Sequence, residues 1–202
     1  MAGIIEVKDQ GKLRIYDADN SNYIDIVVPS TVSSNRTVTL PDASFTVPNI
    51  SGITEADMFR LTADLANPGD ADITANLERV DDASFAKIGT GMTENSGIFT
   101  FSSTGLYYVK FVADSFYNND YIEVDISVST DGTNFDLTSI SNSGNTTVNG
   151  FTSMVCECFI NVTNTSNFKV KFSTVSMTAA TLRGNTAHNE THFTFIKLGN
   201  SQ

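Results

Sequence analysis

Ile122-Glu123-Val124-Asp125-Ile126-Ser127-Val128-Ser129 places an apolar residue at every second position, and Asp131-Gly132 follows it. Side chains of a strand point alternately to its two faces, so this run buries Ile122, Val124, Ile126 and Val128 and leaves the other four to solvent. An Asp-Gly pair after such a run is a hairpin signal. Upstream, Gly105-Leu106-Tyr107-Tyr108-Val109-Lys110-Phe111-Val112-Ala113 is the longest stretch that reads as a buried strand.

Working outward, the same alternation recurs. Phe59, Leu61, Ala63 and Leu65 alternate with polar residues, and so do Ile73, Ala75 and Leu77. Ile98 to Phe101, Val155 to Val162, Phe168 to Phe172 and Phe193 to Leu198 supply further strands. About eight to ten short strands over residues 59–198, with no competing helical period, predict a β-sandwich. The chain is thus expected to be all-β.

Residues 1–50 read as a smaller β module. Ile4 to Lys8, Leu13 to Asp17 and Tyr23 to Val28 are expected strands, with Ile24, Ile26 and Val28 on one face. The cluster Asp17-Ala18-Asp19-Asn20-Ser21-Asn22 has the composition of a turn. Arg36 to Leu40 and Phe45 to Val47 are shorter strands, each followed by proline. A chain of ~50 residues buries only about 60% of its surface. With no disulfide or evident metal to staple it, this module is expected to be stabilised by other chains, with Ile15, Tyr16, Tyr23, Ile24, Ile26, Val38 and Leu40 as its anchor or stem residues. Residues 51–58 read as a linker or a short helical turn capped by Thr54, leaving 59–202 as the sandwich.

Composition narrows the function classes. The net charge of −11 repels phosphate backbones and anionic lipid, so neither nucleic acid nor membrane is an expected partner. No apolar run approaches the ~20 residues of a membrane span. The N-terminus lacks the basic and apolar regions of a signal peptide, so synthesis in a cytoplasm is expected. The Asn-X-Ser/Thr triplets at Asn35, Asn49, Asn145, Asn161, Asn164 and Asn189 therefore carry no weight as glycosylation sites. Cys156 and Cys158 share one face of a strand and read as reduced core residues.

Residues 84–112 resemble the central signature of the C1q/TNF-like jelly roll. Phe85-Ala86-Lys87-Ile88-Gly89-Thr90-Gly91-Met92 is followed by Ser96-Gly97-Ile98-Phe99-Thr100-Phe101 and then by Thr104-Gly105-Leu106-Tyr107-Tyr108-Val109. Phe193-Thr194-Phe195-Ile196-Lys197-Leu198 would be the closing strand; residues 130–150 do not align. Residues 11–42 resemble a repeat of bacteriophage fibres, through Gly11-Lys12-Leu13-Arg14-Ile15-Tyr16-Asp17 and Pro29-Ser30-Thr31-Val32, continuing to Arg36-Thr37-Val38-Thr39-Leu40-Pro41-Asp42. Together the two resemblances imply a virion protein on the particle exterior. It would have a stem or anchor that meets other virion proteins of tail or capsid, and a homotrimeric knob that meets a host-surface glycan or protein. Jelly rolls of the resembled family associate as threes, so Leu106, Tyr107, Tyr108, Val109, Phe111, Phe193 and Phe195 are candidates for trimer interface or core. Either face of the Leu106 strand carries a tyrosine: Tyr107 with Val109 and Phe111, or Tyr108 with Leu106.

No catalytic constellation is legible. Asp17, Asp19 and Ser21 begin like a calcium loop, but Asn22 and Val28 stand where glycine and glutamate are needed. His188, His192, Cys156 and Cys158 lack zinc-site spacing; a histidine ring on a trimer axis is the better metal alternative. Asp81, Asp82, Asp114, Asp120, Glu123 and Asp125 include no pair that spacing selects for glycan cleavage. No catalytic residue, metal or cofactor is expected. Phe116-Tyr117-Asn118-Asn119-Asp120-Tyr121 mixes rings, amides and a carboxylate in an expected loop, which suits sugar contact; the alternative is that the rings pack at the sandwich rim or against a neighbouring subunit. A fibre or spike for host attachment leads this reading. A capsid decoration protein is the alternative, and a glycan depolymerase ranks behind both.

Overall fold

The computed structural model describes residues 12–27, 30–35, 37–39, 52–117, 121–144 and 150–202, with Tyr117 described by its backbone alone. The expected strands at Ile4 to Lys8 and Phe45 to Val47, and the anchor candidate Leu40, lie outside the described residues. The chain forms two compact units, Met1–Asn49 and Ile50–Gln202. Every regular element among the described residues is a strand.

In the first unit, β1 (Lys12–Tyr16) and β2 (Tyr23–Val27) form an antiparallel hairpin with Leu13 opposite Ile26 and Ile15 opposite Ile24. The connecting turn is built by its own polar groups. The backbone N–H and hydroxyl of Ser21 both donate to an Asp19 carboxylate oxygen, at 3.0 and 2.6 Å, and the N–H of Asn22 donates to Asp17 at 3.2 Å. The carboxylates that open like a calcium loop are thus the scaffold of a turn. Thr37–Thr39, expected within a strand, are not in one.

The second unit is a two-sheet sandwich. Its strands are β3 (Ala56–Leu61), β4 (Leu65–Ala66), β5 (Gly69–Asp72), β6 (Leu77–Arg79), β7 (Thr93–Asn95), β8 (Ile98–Thr100), β9 (Gly105–Tyr117), β10 (Ile122–Ser129), β11 (Asp136–Ser143), β12 (Gly150–Val162), β13 (Lys169–Met177), β14 (Ala180–Leu182) and β15 (His192–Gly199). One sheet runs β11-β10-β13-β8-β7, with β5 beside β8 on β13. The other is centred on β9: β12 pairs along one side of it, and β15 and β14 share the other, extended by β3-β6 and by β4.

The core follows from alternation. Ile122, Val124 and Ile126 turn inward from β10 and are fully buried, as are Val109, Phe111 and Ala113 from β9. Between the sheets Phe99, Phe111, Phe172, Phe193 and Phe195 form one aromatic cluster, with the Phe172–Phe193 centroids 4.5 Å apart and Phe99–Phe172 at 5.4 Å. Such tilted and edge contacts add to the burial of large apolar rings. The Cys156 thiol, buried and reduced, donates to the Val124 carbonyl at 2.9 Å and so bridges β12 to β10. Ser96 and Gly97 both have positive φ, making the tight turn between β7 and β8. A Cβ on Gly97 would stand 2.3 Å from the Ile73 carbonyl oxygen, so glycine is required there.

Three local expectations change. The helical turn capped by Thr54 is not formed, because Ala56 already belongs to β3 and is paired with Ile196 and, through an isolated bridge, with Ile88. Ladder pairing overrides a weak local cap signal. The alternating run from Phe59 to Leu65 splits after Leu61, where Thr62 turns to the Asn76 carbonyl. The strand expected from Ile73 to Leu77 does not form: Ile73 to Asn76 lie between β5 and β6, and the φ of +59° at Asn76 turns the chain out of the extended conformation. Residues 130–150, unalignable in sequence, supply β11, which pairs with β10 after the Asp131-Gly132 turn.

Candidate self-association surface

The two faces of β9 resolve the tyrosine ambiguity. Tyr107, Val109 and Phe111 point between the sheets, joined there by Phe193 and Phe195 of β15. These five take the core alternative of the sequence reading. Tyr107 is 2% exposed, and its hydroxyl donates to Glu55 at 3.1 Å and meets Ser103 at 3.0 Å. Burial raises its pKa above the usual phenol value. Leu106 and Tyr108 turn the other way, out of the sandwich.

That outer face carries a broken apolar stripe along the β9–β12 pair, three apolar cross-strand pairs separated by Lys110–Glu157 and Asp114–Ser153. Register puts Phe159 opposite Tyr108, Val155 opposite Val112 and Phe151 opposite Phe116. The Tyr108 and Phe159 ring centroids are 5.7 Å apart and those of Phe116 and Phe151 4.9 Å. Phe159 is 66% exposed, Phe151 67% and Val155 43%, an exposed apolar set on a strand whose other face lies in the core. Glu157, opposite Lys110 in the middle of the stripe, accepts the Tyr108 hydroxyl at 2.5 Å, and this bond raises the tyrosine's pKa. Among the described residues, the thirteen-residue β12 has β9 as its one ladder partner. Long edges and exposed aromatic stripes are features that assembly covers.

His192 lies on the same face, opposite Val112, and burial lowers its pKa below the usual imidazole value. His188 lies on the loop before β15, its ring 3.2 Å from Glu190. Among the described residues no three His, Cys, Asp or Glu side chains converge as a metal site. The carboxylates near β3 are used in ion pairs. Buried Arg60 meets Glu78, Asp81 and Asp82, and buried Asp57 takes Arg79 at 3.0 Å and the Met92 N–H at 2.7 Å.

The receptor-contact candidates divide. Phe116 and Tyr117 are the last residues of β9 rather than loop residues, with Phe116 half-buried against Phe151. Asn118 and Asn119 lie outside the described residues. Tyr121 is exposed, with its hydroxyl donating to Glu123. The structure therefore brings Phe116 to the apolar stripe and Tyr121 to the opposite sheet. Of the anchor candidates, Ile15, Tyr16, Tyr23, Ile24 and Ile26 are all exposed on the hairpin, and Val38 is exposed outside any strand.

Sequence reasoning missed Phe151, Val155 and Phe159. For Val155 and Phe159 the signal was the run Met154-Val155-Cys156-Glu157-Cys158-Phe159-Ile160, in which both parities carry apolar residues. A strand with one face in the core can be apolar on both only if its second face is also covered, or awaits cover.

No family model matches the chain, and no curated protein matches it. Solved structures do. Eiger TNF from S. frugiperda aligns at a TM-score of 0.56 and 10% identity, covering 75% of this chain and 96% of that one. Murine APRIL aligns at 0.54 and 11%, covering 71% and 98%. The vertex protein P5 of PRD1 gives 0.47 at 15% identity, too low to bear on fold or role. At such identities the likeness is one of fold: residues 50–202 form a TNF-like jelly roll.

Proposed function

We propose that the chain is a structural protein of a bacteriophage particle, a homotrimeric fibre or spike that displays the jelly roll on the virion exterior for attachment to a host-surface glycan or protein. The observation that carries the self-association is the Tyr108–Phe159, Val112–Val155 and Phe116–Phe151 stripe on the outer face of the β9 sheet. The resemblance of residues 11–42 to phage-fibre repeats supports the virion assignment. The first unit serves as stem or anchor toward other virion proteins, and no catalytic step is assigned to the chain. Three linked knobs suit weak adhesion, because tethered contacts raise avidity by about 10²–10⁴ over a single one.

Decoration of the capsid is the alternative with the same fold. Negative-stain images of virions labelled with antibody to residues 50–202 separate the two. Label at the tail with host-cell binding by the purified protein supports attachment, and label over the head without binding supports decoration. Absence of label from the particle defeats both.

A further inference from the structure

The hairpin of the first unit has two unlike faces. Lys12, Arg14, Tyr16, Tyr23, Asp25 and Val27 share one. There Arg14 makes a paired contact with Asp25 at 2.8 and 2.9 Å, Lys12 joins it at 2.8 Å, and the Arg14 guanidinium lies 3.6 Å from the Tyr23 ring centre. The Arg14 bond, seconded by Lys12, holds the Asp25 carboxyl well below its usual range. The other face is Leu13, Ile15, Ile24 and Ile26, with no polar group among them. Arg14 and Asp25 are partly covered, while the four aliphatics stand 50–70% exposed, as do Tyr16, Tyr23 and Val27 of the first face at 51–63%.

We infer that the Leu13–Ile15–Ile24–Ile26 face is a homotypic contact, covered by the same face of other copies of this chain. Three observations select a copy as the occupant. A contact between copies must be complementary to itself, and a patch of aliphatics alone meets that condition with no charge or polar group to match. All the charges of β1 and β2 lie on the opposite face, so copies of a chain with net charge −11 can approach here without burying like charges. The patch is also small. Four side chains this exposed offer on the order of a few hundred Å², below the ~800 Å² per partner of an interface stable by itself. It therefore suits association among chains already held together, at the high effective concentration that tethering provides. In this respect the inference rests on the proposed self-association of the jelly roll. The result would be a stem in which the aliphatic faces meet inside and the Arg14, Asp25, Tyr16 and Tyr23 face looks outward.

Face-specific cross-linking of the full chain tests it. Ile24→Cys and, as a second probe of the same face, Ile15→Cys are compared with Val27→Cys on the opposite face and with wild type, whose native thiols set the background. A short homobifunctional maleimide should join chains in both Ile24→Cys and Ile15→Cys at least tenfold more than in Val27→Cys, and dilution within the range where the oligomer persists should not change this. Equal yields from the two faces, or yields at background on both, overturn the inference. Adding Phe159→Asp separates it from the reading on which it rests. If Phe159→Asp leaves a monomer and cross-linking at position 24 falls at micromolar concentration, tethering is upheld. If the wild type sediments as a monomer yet Ile24→Cys still links chains selectively at high concentration, the face is homotypic and the jelly-roll seam is wrong.

Discussion

Asp125→Asn should stabilise this protein at neutral pH, although it removes a carboxylate from a buried position. Asp125 lies on the outward face of β10, opposite Ile140 of β11 and Ser173 of β13. It is 6% exposed, and its Oδ1 is buried without a hydrogen-bond partner. Burial first, and the neighbouring Glu123 second, push its pKa up to about 6, with the Ser173 hydroxyl offsetting part of the rise. A carboxyl whose folded pKa lies above its unfolded value holds its proton more tightly in the folded chain. Its favourable contribution is complete below pH ~4 and is lost as pH rises through ~6. A shift of about two units corresponds to on the order of 2 kcal/mol at pH 8, reduced by whatever solvent reaches Glu123. Asparagine removes that charge and offers an N–H to the Glu123 carboxylate. Urea unfolding at pH 4, 6 and 8 should show the variant more stable by about 1–2 kcal/mol at pH 8, with the difference vanishing near pH 4. A variant less stable than wild type at pH 8, or a difference independent of pH, would refute the reasoning.

Other expectations follow from the packing. Phe172→Ala removes a ring from the centre of the aromatic cluster and should cost about 3–5 kcal/mol in urea unfolding. Asp57→Ala strips Arg79 and the Met92 N–H of their buried acceptor and should cost about 3–5 kcal/mol, more than Lys171→Ala, which breaks the exposed pair with Asp72 and the contact with the Phe135 ring and should cost about 1 kcal/mol. Residues 50–202 expressed alone should unfold cooperatively, with near-UV circular dichroism retained; loss of both would show that the two units fold only together. Incubation of the full chain with host capsule or lipopolysaccharide should release no reducing ends, and a signal abolished by changing one Asp or Glu would reverse the assignment of a non-catalytic role.

Where alternation was unbroken, the sequence was a reliable guide. Ile122 to Ser129 is a strand with its apolar parity in the core, but the polar parity expected to meet solvent is largely covered, with Asp125, Ser127 and Ser129 buried between β11 and β13. The β9 strand was legible as a buried element, although it continues four residues past Ala113 to Tyr117. The jelly roll was legible because its glycines and aromatics recur in order around such strands. Junctions were less legible. The run through Leu61 and Leu65 keeps its period across a break where the Thr62 N–H donates to the Asn76 carbonyl and the Leu61 carbonyl accepts from the Asn185 N–H, partners distant in sequence. The outward face of β9 was harder still. Tyr107 and Tyr108 are equally aromatic, and only the pairing of β9 with β12 and β15 decides which faces the core. The stripe itself needs both strands: Phe159 has meaning only opposite Tyr108, a relation across fifty residues that periodicity along one strand cannot supply.

Sedimentation equilibrium of the full chain, wild type beside Phe159→Asp, tests the central claim most directly. Phe159 is two-thirds exposed in the chain, so aspartate there burdens the isolated jelly roll little, whereas in a closed seam it places a charge against apolar side chains. The account predicts a wild-type mass three times the 21.8 kDa chain at micromolar concentration, falling to 21.8 kDa in the variant with its fold intact by circular dichroism. A wild type that remains at 21.8 kDa throughout, or a Phe159→Asp variant that keeps the threefold mass, would contradict it.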